Sequence, residues 1–357
     1  MTANEIIHHR LVNQQIAETK FKKPKQIVEW MVAMQAQEYA MAKWAIGLRL
    51  PGTNDADIEK AFNKGEILRT HLMRPTWHFV SPADIQWLLA LTAPGVHAVN
   101  AFMYRRLELD NKLFKRCNDI LIKSLEGNKH LTRDELRAVF TKNKINAEGF
   151  RLAYLLMNAE LEALICSGPR KGNQFTLALL EERVKRIKMI SKEEALSQFT
   201  HRYFKSRGPA ALKDFTAWSG LTVSEAKAGI AMLPKKFVKE KTGEQEYIYL
   251  PNTLKNNSVI QDSFLMPDYD EYGMSYKDRS ALMSSPNDSS FFRGENPAYN
   301  RMIIINGKIE GTWKRIIKNH AVSVETVPFR PLSKSQQLLL NKAVTKYCTF
   351  IGKEEHG

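Results

Sequence analysis

Residues 24–37 read PKQIVEWMVAMQAQ, and the other features of the chain are interpreted around this segment. Its apolar residues recur at helical spacing: Ile27, Val28, Met31, Val32 and Met34. This spacing predicts a helix over 24–37. Gln35 continues the apolar stripe, whereas Gln37 lies about 200° further around a regular helix. The two amides can therefore share a face only if the helix ends or bends there.

Two interpretations of these amides are open. A neutral amide on an apolar stripe costs stability unless its hydrogen-bonding groups find partners. In the structural interpretation, Gln35 bonds a neighbouring backbone group or marks a fraying helix end. In the functional interpretation, Gln35 and Gln37 form a pair of amides directed into a cleft. The spacing alone does not choose between them.

Composition and charge limit the class of protein. The chain has 357 residues, enough for roughly two to four structural units. With 43% hydrophobic and 25% charged residues it has the composition of a soluble folded protein rather than a disordered one. The 53 Lys and Arg residues exceed the 38 Asp and Glu residues, which gives a net charge of +15. This excess favours a polyanionic partner, nucleic acid before a membrane surface, and the alternative is a merely basic solvated surface.

Cysteine usage and the N-terminus indicate the compartment. Cys117, Cys166 and Cys348 lie far apart without a C-x-x-C pair, so neither a zinc site nor a disulfide framework is expected. The first ten residues, MTANEIIHHR, are too polar for a signal peptide, and no apolar run approaches the roughly 20 residues that span a bilayer. No phosphate-binding Gly loop or Ser-His-Asp set is present. We therefore predict a soluble cytoplasmic protein that needs no metal or cofactor.

Helices followed by a β-hairpin recur three times along the chain. The predicted hairpins lie at 66–80, 168–177 and 237–250, each bounded by Gly or Pro turn signals. Thr132 and Thr222 are each followed three residues later by Glu, the capping-box spacing that starts a helix. Helices followed by a hairpin is the order of a winged helix-turn-helix, which places a helix and a wing against duplex DNA.

The C-terminal part is richer in strands. Residues 301–305 and 308–315 are predicted strands joined by Asn306-Gly307, a type I′ turn signal, and a strand at 321–328 precedes a closing helix at 334–350. The predicted fold class is mainly α with small β (α+β), with three tandem winged helix-turn-helix units and a C-terminal β-rich, barrel-like module. The predicted units are 1–95, 96–185, 186–255 and 256–357.

Several motifs in this order carry a family resemblance: Gln35-Ala36-Gln37, Leu72-Met73-Arg74-Pro75-Thr76-Trp77-His78, the segment from Tyr203 through Gly208-Pro209 to Leu221, Pro267 to Tyr272 with Asp278-Arg279, and Asn306-Gly307 with Gly311-Thr312-Trp313. Together they resemble the winged-helix DNA glycosylase family typified by AlkZ, over essentially the full length of the chain. The resemblance implies three winged-helix units and a barrel-like part around a DNA-binding concavity. It also implies that the Gln-apolar-Gln pair is catalytic, here Gln35 and Gln37.

Two departures from the family pattern accompany this resemblance. Ala36 is smaller than the apolar residue often found between the two amides, and Pro75 and Trp77 replace the more usual small residue and Leu around Thr76. The wing tip is therefore expected to contact DNA differently. Because both amides are kept where some members replace the second by an acid, the motif resembles that of the crosslink-repair branch.

The implied chemistry suits amides. A purine alkylated at N7 or N3 is a cation whose glycosidic bond is already weakened, so no general acid is needed to protonate it. The enzyme must then hold a water near the anomeric carbon and tolerate an oxocarbenium-like transition state. Two Gln oxygens can accept hydrogen bonds from that water, and their dipoles favour the developing sugar cation. The resemblance thus implies a monofunctional DNA glycosylase for alkylated purines, with interstrand crosslinks as a further candidate substrate.

Other polar residues are predicted to contact DNA: Arg69, Arg74, Thr76, His78, Arg170, Lys171 and Lys314. The basic charge balance favours phosphate contacts, although exposed hairpin charges are often only solvated. The carboxylates Asp268, Asp270 and Glu271 lack the spacing of a calcium loop, so structural ion pairing, such as that of Asp278 with the neighbours of Arg279, is favoured over a metal site.

Two other functions are left open. One is a winged-helix DNA-binding protein or transcriptional regulator without chemistry, which is usually a dimer on spaced half-sites and would not need Gln35 and Gln37. The other is a structural protein whose basicity is incidental, and a steep fall of log affinity for DNA with log salt would exclude it. The expected partner is double-stranded DNA carrying alkylated bases, bound by a monomer. The sequence does not indicate which adduct is excised.

Overall fold

The structure is a computed structural model that describes residues 1–186, 188–251, 260–285, 288, 300–318, 321–352 and 354–355. The boundary predicted between residues 255 and 256 lies outside the described residues. Helices predominate over strands, so the architecture is mixed α and β. No helix in the described ranges is both long and apolar enough to cross a membrane.

The N-terminal part combines helices with a small antiparallel sheet. In chain order its elements are α1 (Ala3–Asn13), α2 (Pro24–Met31), β1 (Ala33–Gln35), α3 (Tyr39–Leu48), α4 (Asp55–Asn63), β2 (Leu68–His71) and β3 (Trp77–Val80). The strands are ordered β1-β3-β2, and the predicted hairpin is confirmed as the pair β2–β3. In the pairing of β1 with β3, Gln35 lies opposite His78.

The predicted helix over 24–37 is wrong beyond Met31. Pro24 begins α2 at its first turn, where the missing N–H costs nothing. The helix ends because Val32 adopts φ 65° and ψ −56°, close to the geometry of a γ-turn, and the chain continues as β1. Because a β-branched residue at positive φ is an outlier, other contacts must hold this turn in place.

The next part begins with the longest helix of the described chain. Its elements are α5 (Ile85–Arg106), α6 (Asn111–Leu125), β4 (Leu131–Thr132), α7 (Arg133–Lys142), α8 (Phe150–Leu161), β5 (Ile165–Ser167), β6 (Thr176–Leu179) and α9 (Leu180–Arg183). The strands form a sheet ordered β4-β6-β5. The predicted capping box is confirmed, since the Glu135 N–H donates to Thr132 Oγ1 and the Thr132 N–H donates to Glu135 Oε2.

Three helices and a hairpin follow. These elements are α10 (Lys192–Arg207), α11 (Leu212–Ser219), α12 (Val223–Ala231), β7 (Val238–Thr242) and β8 (Gln245–Tyr249). The predicted hairpin around Gly243 is confirmed by the antiparallel pairing of β7 with β8. Ala210, ahead of α11, forms a single bridge to Ile248 in β8.

A curled sheet and a long helix form the C-terminal part. Its elements are β9 (Ser263–Leu265), α13 (Glu271–Met274), β10 (Met302–Ile305), β11 (Lys308–Lys318), β12 (Ala321–Pro328), α14 (Lys334–Ile351) and β13 (Glu354–Glu355). The sheet order is β13-β12-β11-β10-β9, and the sheet curls as a half-barrel. Asn306 and Gly307 have φ of 52° and 81°, which is what a type I′ turn requires, so this predicted turn is confirmed.

Two hydrophobic cores cross the predicted unit boundaries. Trp44 of α3 packs between Tyr347 and Phe350 of α14, and Tyr347 also contacts Trp313 of β11, so the two ends of the chain share one core. A second core joins the β2–β3 hairpin to α10 and α11, and a third lies within α6–α8. The division into four units stays a prediction.

Candidate active site

The extended backbone of β1 ends at Gln35, and Gln37 follows in a bend ahead of α3. The Ala36 N–H donates to the Trp77 carbonyl at 2.8 Å, so the pairing with β3 continues past Gln35. Gln35 is buried, Gln37 is exposed, and Ala36 between them is fully buried. Because α2 ends before the motif, the separation of about 200° that a continuous helix would impose on the amides does not apply.

Arg74 approaches Gln35 from the turn of the β2–β3 hairpin. Its Nη2 donates to Gln35 Oε1 at 3.2 Å. The turn has Arg74 at φ 53°, and Thr76 closes it by donating from Oγ1 to the Met73 carbonyl at 3.1 Å. The amide oxygen of Gln35 has a second lone pair, so it can still accept a hydrogen bond from a water. The structure thus places Arg74 beside a predicted catalytic residue, and its contact with DNA stays a prediction.

His78 lies opposite Gln35 and is fully buried. Its Nδ1 donates to the Thr76 carbonyl at 3.0 Å in the neutral tautomer, whereas Nε2 has no hydrogen-bond partner among the described residues. Burial, assisted by the positive charge of Arg74, lowers the pKa of His78 to about 3. His78 is therefore uncharged at neutral pH. Its contact with DNA also stays a prediction, and its burial argues against that contact.

The strand β1, which carries Gln35, is called the glutamine strand. Aromatic rings and cations form a stack beside it: His71, Trp77, Arg69, Phe175, Arg170 and Tyr39. The Arg69 guanidinium lies between Trp77 and Phe175, with its Cζ 4.2 and 4.7 Å from the ring centroids. Its Nε donates to the Ala36 carbonyl at 2.9 Å, so it fixes the peptide between the two amides. Burial lowers the pKa of Arg69 to about 10, which leaves it a cation at neutral pH.

The stack also joins the first hairpin to the part that follows it. The Arg69 N–H donates to Ser167 Oγ at 2.8 Å, and His71 contacts the buried carboxylate of Glu160 on α8. The hairpin cations are therefore mostly covered by neighbouring elements. Arg69 is therefore not an exposed hairpin residue, because its side chain is buried. Its predicted contact with DNA stays a prediction.

The remaining predicted DNA contacts are spread over the surface. Arg170 is partly buried in the stack, and its backbone N–H donates to Asn63. Lys171 is exposed and forms an ion pair with Glu135 at 2.6 Å. Lys314 is exposed on β11, opposite Glu325 of β12 in the strand register. Of these three residues only Arg170 belongs to the stack beside the glutamine strand, and the roles of all three stay predictions.

The three carboxylates near residue 270 each have an arginine partner. Asp268 pairs with Arg301 at 2.7 Å, and Glu271 pairs with Arg207 at 2.9 Å. Asp270 accepts two hydrogen bonds of 2.8 Å from the fork of Arg49. These contacts agree with the expectation of structural ion pairs. Within the described ranges, no group of three or more His, Cys, Asp or Glu side chains is arranged to hold a metal.

Sequence reasoning did not identify the partners of these acids. Glu271 Oε1 accepts the backbone N–H of Gln35 at 2.9 Å, across 236 positions of the sequence. Arg49 follows the last residue of α3 and Arg207 ends α10, and a buried arginine at either place needs an acceptor. Nothing in a single sequence indicates which carboxylate supplies it.

Comparison with known proteins identifies the class to which this fold and site belong. The profile of a family described as DNA glycosylase AlkZ-like matches residues 28–350. The chain belongs to this family, and the predicted family resemblance is confirmed.

Individual relatives give a narrower comparison. The chain is 25% identical over 202 residues to an interstrand DNA cross-link repair glycosylase of Streptomyces sahachiroi. That alignment covers 55% of this chain and 54% of the relative, so it spans about half of each protein. The solved structure of Streptomyces sahachiroi DNA glycosylase AlkZ matches with a TM-score of 0.81 at 17% identity, over 99% of this chain and 98% of that chain. The two structures share a fold along nearly their full length.

Proposed function

We propose that the protein is a monofunctional DNA glycosylase that hydrolyses the N-glycosidic bond of purines alkylated at N7 or N3. Membership of a DNA glycosylase family supports the activity, and the net charge of +15 supports a DNA partner. One observation carries the assignment of the site: α2 ends at Val32, and β1 then places Gln35 beside Arg74 of the β2–β3 hairpin, two residues before the exposed Gln37. Interstrand crosslinks are a further candidate substrate, and base-excision repair is the proposed role.

The proposed scaffold is three tandem winged-helix units with a C-terminal module. Each of the first three parts supports it by running from helices into an antiparallel hairpin: β2–β3, β5–β6 and β7–β8. The first two parts also place a short strand between helices, β1 and β4, which joins the hairpin in a three-stranded sheet. In the third part, the bridge from Ala210 to Ile248 occupies the equivalent place. We expect a monomer that binds duplex DNA in the concavity between these units.

The chemistry proposed for the two amides is water positioning. Gln35 Oε1 is oriented by Arg74, and Gln37 supplies a second, exposed amide. A water held between the two amide oxygens attacks the anomeric carbon and forms the new C1′–O bond. The C1′–N bond breaks with its electron pair going to the purine, which neutralises the cationic base, and the attacking water releases its proton to solvent. Fixed amide dipoles favour the sugar cation that develops during this step.

Glu271 does not act as the base in this mechanism. Its carboxylate is buried, and both of its oxygens accept hydrogen bonds from protein groups. Burial opposes its ionisation, but Arg207 and the Gln35 N–H outweigh burial and lower its pKa to about 2. So weak a base cannot activate a water efficiently. The site therefore suits a leaving group that is already charged, and unmodified bases should be poor substrates.

A duplex with a single N7-methylguanine tests this proposal. The protein should convert that position to an abasic site, which alkali then cleaves, while an unmodified duplex of the same sequence stays intact. Binding of both duplexes without abasic sites would instead support a DNA-binding protein without chemistry. Alkylated DNA should also be bound with a steep dependence of log affinity on log salt, because phosphate contacts release counterions.

A further inference from the structure

We propose that Glu271 and Arg207 are positioning residues that hold the strand carrying Gln35 in the geometry needed for catalysis. The inference rests on the proposed role of Gln35 and adds two residues that never touch the substrate. It gives a function to Glu271, one of the three carboxylates whose role the sequence left open.

The turn before the glutamine strand is strained. Val32 is fully buried at φ 65° and ψ −56°, a region that β-branched residues rarely occupy. If the chain relaxed there, α2 could continue by its own apolar periodicity, and Gln35 and Gln37 would separate around the helix. The surroundings of Val32 must therefore favour the turn over the helix.

Arg207 at the end of α10 brackets this turn. Its Nη1 donates to the Met31 carbonyl at 2.8 Å and its Nη2 donates to the Ala33 carbonyl at 2.9 Å. The side chain is fully buried, and its Cζ lies 4.3 Å from the centroid of the Trp218 ring. A planar fork of donors can span two carbonyls in this way, whereas an ammonium group presents a single nitrogen. Arg207 thus fixes the backbone on both sides of Val32.

Glu271 connects that arginine to the glutamine. Its Oε1 accepts the Gln35 N–H at 2.9 Å, and its Oε2 accepts from Arg207 Nη2 at 2.9 Å. Ser275 Oγ and Trp218 Nε1 also donate to Oε2, each at 2.8 Å. Both oxygens of Glu271 therefore accept hydrogen bonds: Oε1 from the glutamine strand, and Oε2 from Arg207 and the two side chains beside it. The amide side chain of Gln35 is then oriented separately by Arg74.

A neighbouring ion pair provides a matched comparison. Arg49 and Asp270 are fully buried and joined by two hydrogen bonds, and Asp270 adjoins Glu271 in the chain. The other bonds of Arg49 go to Ala45 and Gln14, outside residues 32–37. Both pairs should stabilise the fold, but only the Glu271–Arg207 pair contacts the glutamine strand.

The experiment compares Glu271→Gln with Asp270→Asn on a duplex that contains N7-methylguanine. An amide offers one acceptor oxygen where Glu271 needs two, so one donor, Arg207 or the Gln35 N–H, loses its acceptor. Since a misplacement of about 1 Å can cost about 100-fold in rate, single-turnover excision should slow by about 30-fold or more in Glu271→Gln. Asp270→Asn should lower the melting temperature similarly but slow excision by less than about three-fold, and both should bind the duplex with affinities within about two-fold of the parent.

Hydrogen exchange gives a readout that does not depend on activity. Amide exchange over residues 32–37 should become faster in Glu271→Gln and stay at the parent rate in Asp270→Asn. If Glu271→Gln does not fold, Arg207→Lys replaces it, because lysine keeps the charge but cannot bridge both carbonyls and Glu271. The same increase in exchange and the same loss of rate are then expected.

Three outcomes would overturn the inference. One is amide exchange over residues 32–37 at the parent rate in folded Glu271→Gln or Arg207→Lys. Another is an excision rate equal to that of the parent in folded Glu271→Gln or Arg207→Lys while Gln35→Ala loses activity. That result would leave the proposed function intact. The third is an equal slowing by Asp270→Asn at equal stability, which would make the pair merely structural. Normal excision by Gln35→Ala would instead refute the catalytic role proposed for Gln35, and the exchange data would still decide whether the pair holds the strand.

Discussion

Lowering the pH from 7 to 5 should weaken the fold through His78, the buried histidine opposite Gln35. Burial and the charge of Arg74 lower its pKa from 6.5 to about 3. A group with a depressed folded pKa contributes stability above its unfolded pKa and loses that contribution as the pH falls toward the folded value. The window for His78 is therefore pH 6.5 down to about 3.

The size of the effect follows from the two pKa values of His78. Between pH 7 and pH 5 the unfolded imidazole becomes protonated while the folded one stays neutral. This difference removes about 2 kcal/mol of unfolding free energy by pH 5, and about 5 kcal/mol once both states are protonated. Glu271 acts in the same direction but only below its unfolded pKa of 4.5, since its folded pKa is about 2. Its contribution thus falls outside the window between pH 7 and pH 5.

Urea unfolding at pH 7 and pH 5, with His78→Asn as the comparison, measures this contribution. Asparagine can keep the hydrogen bond to the Thr76 carbonyl but does not titrate. Burial also lowers the pKa values of His9, His130 and His201, and these residues remain in both proteins. The parent protein should therefore lose about 2 kcal/mol more than His78→Asn over this pH range. Equal losses in the two proteins would refute the assignment of a buried, neutral imidazole beside Gln35.

Three further predictions concern other residues. Arg74→Ala should slow single-turnover excision by about ten-fold with little change in melting temperature, because a charge-assisted hydrogen bond that orients the catalytic amide is lost; an unchanged rate would remove Arg74 from the site. Replacing Arg170 and Lys171 by Ala should weaken binding to all duplexes alike and flatten the salt slope by about one unit per lost phosphate contact, whereas an unchanged slope would place them outside the interface. Gly47→Ala would put a Cβ 2.3 Å from the buried ring of Phe350 and should lower the unfolding free energy by about 1 to 3 kcal/mol in thermal or urea melts. A variant as stable as the parent would contradict this packing.

Elements with local signals could be predicted from the sequence. The capping-box spacings at Thr132 and Thr222 correctly marked the starts of α7 and α12, because the cap and its partner lie within one turn of each other. The signal for the turn at Asn306-Gly307 was also local, because the positive φ values of this turn favour these two residue types. In contrast, the 22-residue helix α5 was not predicted.

The end of α2 could not be predicted because its cause is distant in sequence. Arg207 is 176 positions from Met31, and Glu271 is 236 positions from Gln35. Ala33 and Met34 are both buried, so the strand is apolar on both sides and its pattern resembles a continued helix. The local sequence therefore favoured the wrong element at the most important point of the chain.

Only part of the candidate site could be predicted, because the contacts that support it also come from distant parts of the sequence. The two amides were identified from a motif, whereas their supports come from other segments of the fold. Arg69 and His78 were expected to be exposed hairpin residues, but α8, β5 and β1 pack against the hairpin and bury them. A hairpin pattern predicts the strands and leaves open which surface covers them.

The most direct test of the proposed catalytic role measures excision and folding together in Gln35→Ala, Gln37→Ala and the double variant. Single-turnover release of N7-methylguanine, the melting temperature and duplex affinity are determined on the same preparations. We expect folded variants that still bind DNA but excise about thirty-fold to a thousand-fold more slowly, because a positioned water and one transition-state hydrogen bond are lost. Gln37→Glu should be milder, since a carboxylate also accepts from water. If Gln35 is only a structural amide, Gln35→Ala will instead melt earlier and excise at the parent rate per folded molecule. Normal excision by the folded double variant would contradict the catalytic role of this strand.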